Sequence, residues 1–433
     1  MIRTTLLATA AAFAFGALAA PATAQDIAIT NATVATGDGS APMEGATVVI
    51  RGGKVVAAGR GVAVPAGTRT IDGAGKWVTP GIFMPVTDLG LADVEGVGDS
   101  NDTRAARSRF SAALDASTAV NYASQHIAVS RAGGVTRASI VTAPGGAIFA
   151  GQGAVIDTGA DRNAVVASRA FQMVTLGEAA ARIAGGSRVA AYAELANALR
   201  EAGEFAAGRW QGDGNLLTRA DAEALAPVVT GAQPLYVHVE RAADIRAVLS
   251  LPRRYPKLKL VLLGVSEGWI VADDIAAAGV PVIADPLDNL PASFEQLGAT
   301  HSNVGRMVQA GVKVALGGLS GGITGPRIAP QFAGNLVALS QVPGATGLTW
   351  GQAFASISSI PAEISGFGGR FGVLSAGAAG DLVVWDGDPL EVSSAPVQVF
   401  IDGIEQPLDS HQTRLRDRYR DLDEGTLPKA YDW

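Results

Sequence analysis

Residues 234–284 read PLYVHVERAADIRAVLSLPRRYPKLKLVLLGVSEGWIVADDIAAAGVPVIA, and this stretch decides the fold. Pro234-Leu235-Tyr236-Val237-His238-Val239-Glu240 is a strand, 258–264 is a second apolar strand, and Val280-Pro281-Val282-Ile283-Ala284 is a third. Between them, 241–251 and 269–278 have the amphipathic spacing of helices. The same alternation predicts a helix over 303–310 and a strand over 312–316. Strands that recur every twenty to thirty residues or so with helices between them are the βα rhythm of a parallel sheet. Carried over roughly 290 residues, it fits a closed (β/α)₈ barrel better than an open sheet. The Ala-rich stretch 178–208 is helical and elaborates the barrel, and Thr218-Arg219-Ala220-Asp221 opens a further helix as a capping box. A helix is expected over 119–131, carrying His126; His301 falls in a loop or at a helix start. Both histidines read as structural. The glycine-rich run 144–153 lacks the Gly-Lys-Ser/Thr ending of a phosphate loop and reads as a tight turn crossing the barrel mouth.

The chain ends read differently. Residues 26–78 are β-like, and in ATVVIRGGKVVAAG, Gly52-Gly53 between two β-branched segments predicts a hairpin. Asp381-Leu382-Val383-Val384-Trp385 and Val397-Gln398-Val399-Phe400-Ile401-Asp402-Gly403 are again strands. Strands at both ends around a long α/β middle imply one small β-sandwich built from both termini. The expected division is 25–79 and 370–410 for the sandwich, 80–369 for the barrel, and 411–433 for a charged tail. Within that tail, a helix over 411–425 puts Leu415, Tyr419 and Leu422 on one face, read as packing on the body.

Residues 1–24, MIRTTLLATAAAFAFGALAAPATA, have the form of a secretory signal. Arg3 supplies the positive start, 6–20 the apolar core, and Ala22-Thr23-Ala24 the small-residue cleavage pattern before Gln25. The apolar run is shorter than the ~20 residues a membrane span needs, and Pro21 ends it. The expectation is an exported, periplasmic protein with no span in the mature chain. Of 433 residues, 48% are hydrophobic and 17% charged, which excludes a disordered chain. A net charge of −7 gives nucleic-acid binding no support. The absence of cysteine excludes disulfides, thiolate metal sites and a cysteine nucleophile, and only four histidines are present.

Several motifs lie at informative places. They are Ile50-Arg51-Gly52-Gly53-Lys54-Val55; Ile71-Asp72-Gly73 with Lys76-Trp77-Val78-Thr79-Pro80-Gly81; Ile360-Pro361-Ala362-Glu363-Ile364 before Gly366; and Gly380-Asp381-Leu382-Val383-Val384 with Asp386-Gly387-Asp388-Pro389-Leu390. On these the chain resembles the amidohydrolase superfamily, in particular its imidazolonepropionase-like members, over nearly all of its mature length. The resemblance implies a TIM-like barrel beside a β-sandwich. It also implies a hydrolase of C–N bonds other than peptide bonds, or of related cyclic amides and dipeptides, with one or two zinc-like divalent metals activating water.

The same resemblance locates what is missing. Where Pro-Gly on the first barrel strand would lead into His-x-His, Val86 and Asp88 hold the two histidine positions. A bridging carboxylated lysine on the fourth strand is impossible, because no lysine occurs between Lys76 and Lys257. The fifth-strand histidine is kept as His238. Leu262-Leu263-Gly264-Val265 stands where the sixth would follow, and Leu319 stands where the eighth-strand aspartate would bind metal and move a proton. One familiar ligand and one substituted carboxylate are fewer than the three a catalytic zinc keeps. Strand alternation puts Tyr236, His238 and Glu240 on one face. Asp88, His238, Glu240, Glu267 and Asp285 could then converge at the mouth as a reorganised metal site, or solvate its rim. Gly318-Leu319-Ser320-Gly321-Gly322 matches G-x-S-x-G, but Gly321, Gly322, Gly325 and Pro326 oppose the helix a nucleophile elbow requires. Two functions stay open. One is a divergent hydrolase with residual or altered activity; the other is a non-catalytic subunit or ligand-binding protein paired with an intact amidohydrolase. The expected partners are a small-molecule ligand or substrate and a second subunit, either another copy or such a relative.

Overall fold

The structure is a computed structural model and describes residues 24–94, 96–212, 216–317 and 325–420. Residues 1–23 of the expected signal segment, Leu319, the G-x-S-x-G stretch and the chain beyond 420 lie outside the described residues.

Two eight-stranded sheets organise the chain. The first joins β1 (Ile27–Val34), β2 (Met43–Arg51), β3 (Lys54–Gly59), β4 (Arg69–Asp72) and β5 (Trp77–Pro80) to β14 (Leu382–Trp385), β15 (Pro396–Ile401) and β16 (Ile404–Glu405). Its order is β16-β15-β14-β5-β1-β2-β3, with β4 also pairing β1. The two chain ends meet where β5 runs antiparallel to β14, Trp77 opposite Trp385. The strand-rich unit expected from both termini is present, and it wraps a core that includes Ile29, Val48, Ile50, Leu382 and Phe400. Gly52 and Gly53 turn β2 into β3 with φ of 54° and 76°, the left-handed pair a two-residue hairpin needs.

The second sheet is the barrel. Its strands run in chain order: β6 (Ile82–Thr87), β7 (Val135–Ile140), β8 (Phe149–Asp157), β9 (Val165–Thr175), β10 (Leu235–Val239), β11 (Leu260–Gly264), β12 (Val282–Ala284) and β13 (Val314–Leu316). From β9 to β13 every neighbour is parallel. The intervening helices include α5 (Ala242–Leu249), α6 (Ala272–Ala278) and α7 (Asn303–Gln309), as the alternation predicts. The circle is nearly closed. Between β13 and β6 the chain at 356–357 fills in, Ser356 O accepting from Leu316 N and Ile357 O from Phe83 N.

One region departs from the expected rhythm. Strand β8 is antiparallel to both β7 and β9, so β7-β8-β9 is a meander without crossover helices. Only the first half of the glycine-rich run bends at the mouth, where Pro144 lines the cavity described below; Gly151 and Gly153 lie inside β8. The reason is close approach. The Phe171 ring of β9 lies against Gly153 where a side chain would stand, and a Cβ on Gly151 would meet the Leu114 carbonyl at 2.7 Å. With that space free, Phe171 stacks on Tyr236 inside the barrel, their ring centroids 4.2 Å apart. The barrel interior is therefore packed and apolar below the mouth.

Smaller differences concern helix ends. Helix α1 (Gln125–Ala132) begins six residues later than the sequence suggests, at the Ser124 N-cap. α2 (Gly177–Ile183) and α3 (Arg188–Ala206) form the Ala-rich elaboration. At α4 (Arg219–Thr230) Thr218 does cap Asp221 N, but the reciprocal bond of a capping box is absent. The Asp221 carboxylate instead accepts from Ser111 N and Ala113 N, fixing a distant loop. Beyond α8 (Ala329–Ala338), α9 (Trp350–Ala355) and α10 (Ser359–Ile364), the tail helix is α11 (His411–Tyr419). Its apolar face is only half covered, with Leu415 partly buried and Tyr419 exposed.

Candidate functional site

The C-terminal ends of the barrel strands surround a cavity of about 380 Å³. Strand β6 contributes Met84, Val86 and Thr87, with Asp88 just beyond it; the end of β7 leads into Val141, Thr142 and Pro144. β9 gives Met173 and Thr175, β10 gives His238, and loops add Thr103, Gly325 and Pro326. The first- and fifth-strand positions singled out in the sequence thus share one cavity. Val86 faces it with an isopropyl group, and Asp88 with a half-buried carboxylate. The fourth strand presents a thioether and a hydroxyl where a bridging carboxylate was sought.

His238 is held by a chain of hydrogen bonds. Its Nε2 lies 3.0 Å from Glu240 Oε1. A carboxylate only accepts, so Nε2 carries the proton. Glu240 Oε2 in turn accepts from Ser266 N at 2.8 Å and Ser266 Oγ at 2.7 Å. The end of β11 is shaped for this. Gly264 (φ +81°) has no Cβ, and the Glu240 carboxylate occupies that space. Val265 follows at φ +59°, a left-handed conformation that a β-branched residue adopts only under constraint, at a cost of order 1–3 kcal/mol. The constraint is visible: Val265 N donates to Val239 O, and Val265 O accepts from Asn303 Nδ2 and Gly268 N. Where a sixth-strand histidine would project, the chain instead turns so that Ser266 grips Glu240.

Burial raises the Glu240 pKa, but the His238 hydrogen bond and charge and the two Ser266 bonds outweigh it and hold the carboxyl below the ordinary 4.5. The ionised form therefore stabilises the fold fully above pH 4.5, and that stability is lost as pH falls through the lower folded value. Glu240→Gln is expected to cost about 1–3 kcal/mol at neutral pH, a cost that shrinks under acid conditions. Urea unfolding of both proteins across a pH series reads this directly. A pH-independent difference would mean that the carboxylate's charge is not what holds it.

The other candidates lie elsewhere. Glu267 turns away from the cavity: Oε2 accepts from Ala242 N at the start of α5, and Oε1 from Gly298 N, so it caps a helix and ties down a loop. Asp285 is not among the lining residues. Burial, then the charges of Asp285 and Glu240, push the neighbouring Asp288 up to about 6. His126 is buried in α1, while His301 and His411 sit at helix starts away from the cavity. The five proposed donors are thus not gathered at one point, and the described residues hold no group of three or more His, Asp or Glu placed to bind a metal. Sequence reasoning missed Ser266 and the cavity threonines. Ser266 was within reach, since it directly follows the strand whose histidine is lost.

Residues 153–406, more than half of the chain, match the profile of the amidohydrolase family. The chain belongs to the amidohydrolase family. This amidohydrolase is 25% identical to an amidohydrolase from Thermotoga maritima MSB8, with a TM-score of 0.76 over 88% of this chain and 99% of that one. It also shares its fold with a zinc-bound adenosine deaminase from Xanthomonas campestris, at 17% identity and a TM-score of 0.51, covering 92% and 98% of the two chains. Among curated proteins, the amidohydrolase tasK of Hapsidospora irregularis is 52% identical over 60 residues, 14% of this chain and 6% of that protein. The chain therefore spans only a small part of that relative's length. Among the described residues, no helix is long and apolar enough to cross a membrane.

Proposed function

We propose that this amidohydrolase is an exported, periplasmic protein whose barrel mouth does not assemble the family's divalent metal centre, leaving C–N bond hydrolysis weak or altered. The observation that carries the reading is the donor set. A catalytic zinc keeps three nitrogen or carboxylate ligands and an open position. Among the described residues the cavity lining offers only Asp88 and His238, and the Nε2 of His238 is already committed to Glu240. Residues 318–324, GLSGGIT, add no carboxylate or imidazole, so the eighth-strand base is missing from the sequence itself. These residues do not fit the metal.

Retention of a formed cavity beside a depleted donor set favours a second reading within the same proposal. In it the protein binds a small molecule, as one subunit of a homo-oligomer or beside a metal-competent relative. Elemental analysis of purified mature protein tests the main reading. We expect zinc, manganese and iron well below one equivalent per chain, unchanged by His238→Ala. A full equivalent that disappears in His238→Ala would overturn it.

A further inference from the structure

The cavity lining carries a chemical bias that the loss of metal ligands does not explain. Among the described residues Asp88 is its only carboxylate, and none of them donates a hydrogen bond to that side chain. Among the described residues no lysine or arginine lines the cavity, and 318–324 contains none. Three of the four threonine hydroxyls among the described lining residues are committed as donors, and Thr175 Oγ1 is the one that is not. Thr87 Oγ1 donates to Ser139 O at 3.0 Å, Thr142 Oγ1 to Ala150 O, and Thr103 Oγ1 to Asn101 Oδ1. A hydroxyl has one proton, so toward a ligand these three oxygens can only accept. The Nε2–H of His238 is likewise spent on Glu240. What remains is a concave surface rich in acceptors and poor in donors, with apolar walls from Met84, Val86, Val141 and Met173.

Resting on the metal-poor reading of this site, we infer that the cavity binds a small organic cation: an ammonium, amidinium or guanidinium group on a compact apolar body. Its charged head pairs with Asp88, its remaining N–H groups reach the threonine oxygens, and its body fills the apolar wall. A zinc ion needs several converging ligands, whereas an ammonium or amidinium needs one carboxylate and a few acceptors without strict geometry. A volume of about 380 Å³ lies in the range of small-ligand pockets. Partial exclusion of water strengthens the ion pair relative to an exposed one. The same surface disfavours carboxylates and phosphates, which find the Thr175 hydroxyl as the one uncommitted side-chain donor among the described lining residues and meet the Asp88 charge.

Three probes of nearly one shape separate charge from fit: benzamidine, benzamide and benzoate, titrated calorimetrically into the mature protein whose metal content has been measured. Benzamidine is expected to bind at least about tenfold more tightly than benzamide, with benzoate undetected. Asp88→Asn should remove the preference without moving Tm. On the unmutated protein, added salt should weaken benzamidine binding and leave benzamide unchanged. Equal binding of benzamidine and benzamide, or a preference that survives both Asp88→Asn and salt, overturns the inference. Loss of the preference in metal-free protein refutes this assignment alone. A stoichiometric metal in the same sample refutes the reading beneath it.

Discussion

Replacing Arg137 by leucine is expected to lower the unfolding free energy by about 3–5 kcal/mol, the cost of removing one partner from a buried charge cluster. Arg137 projects from β7 of the barrel into the terminal sheet. Its Nε and Nη2 bond both oxygens of Asp381, at 2.7 and 2.9 Å, and Nη2 also reaches Asp402 at 2.8 Å. Its guanidinium lies 4.3 Å from the Phe371 ring centroid. Asp381 is 2% exposed and has no other cation paired with it among the described residues, so the variant leaves its charge in an apolar setting. Asp381 Oδ1 also accepts from Asp402 N, which couples the loss to the β15–β16 turn. Chemical unfolding measures the effect. A loss below about 1 kcal/mol, the scale of an exposed ion pair, would mean that the cluster is solvated.

Asp157, the third acid at this junction, should behave in the opposite sense. Its carboxylate lies 3.7 Å from Arg137, yet its pKa is raised to about 6. Burial is the main cause, and Arg137 offsets it only in part because that cation already serves Asp381 and Asp402. For an acid whose folded value lies above its ordinary 3.8, the folded state holds more protons through that window. Stability therefore falls as pH rises from 3.8 to about 6 and is level above it. Asp157→Asn keeps an acceptor for Gly159 N and should remove that slope, equalling or exceeding the parent by about 1–3 kcal/mol at pH 7.

This junction shows where reading a sequence stops. The barrel and the terminal sheet were legible because each rests on local signals: apolar runs at βα spacing, and Gly-Gly between β-branched segments. Arg137 sits in VTRASI, six residues that are all buried, and nothing local says that its partners lie 244 and 265 residues away. The β8 meander was hidden for a related reason. Its glycines resemble a turn until the Phe171 ring that needs them is placed. At the site, the positions of Val86, Asp88 and His238 followed from strand order. The roles of Glu240 and Glu267 did not, because carboxylates at strand ends look alike until their backbone donors are known. One grips a histidine and the other caps a helix.

Restoring the missing donors should change metal binding more than any single substitution removes. Val86→His and Asp88→His return two imidazoles to cavity-lining positions, and Leu319→Asp returns a carboxylate after β13, at a residue beyond the described ones. Zinc affinity, measured by competition with a chromogenic chelator, is expected to rise at least about a hundredfold. Loss of mere outer-shell partners at metal sites already costs 10–100-fold, and here the ligands themselves are supplied. The gain should exceed what Val86→His and Asp88→His give alone, because those two imidazoles and His238 make the minimal three ligands and the Leu319→Asp carboxylate adds a fourth. Glu240 decides its size. While His238 Nε2–H bonds Glu240, the imidazole can ligate only through Nδ1, with the carboxylate as its outer-shell partner. Glu240→Gln in the restored background should therefore reduce affinity about 10–100-fold, without abolishing it. If the triple variant folds and shows no gain, the side chains at 86, 88 and 319 do not converge, and the metal-poor reading would need another cause.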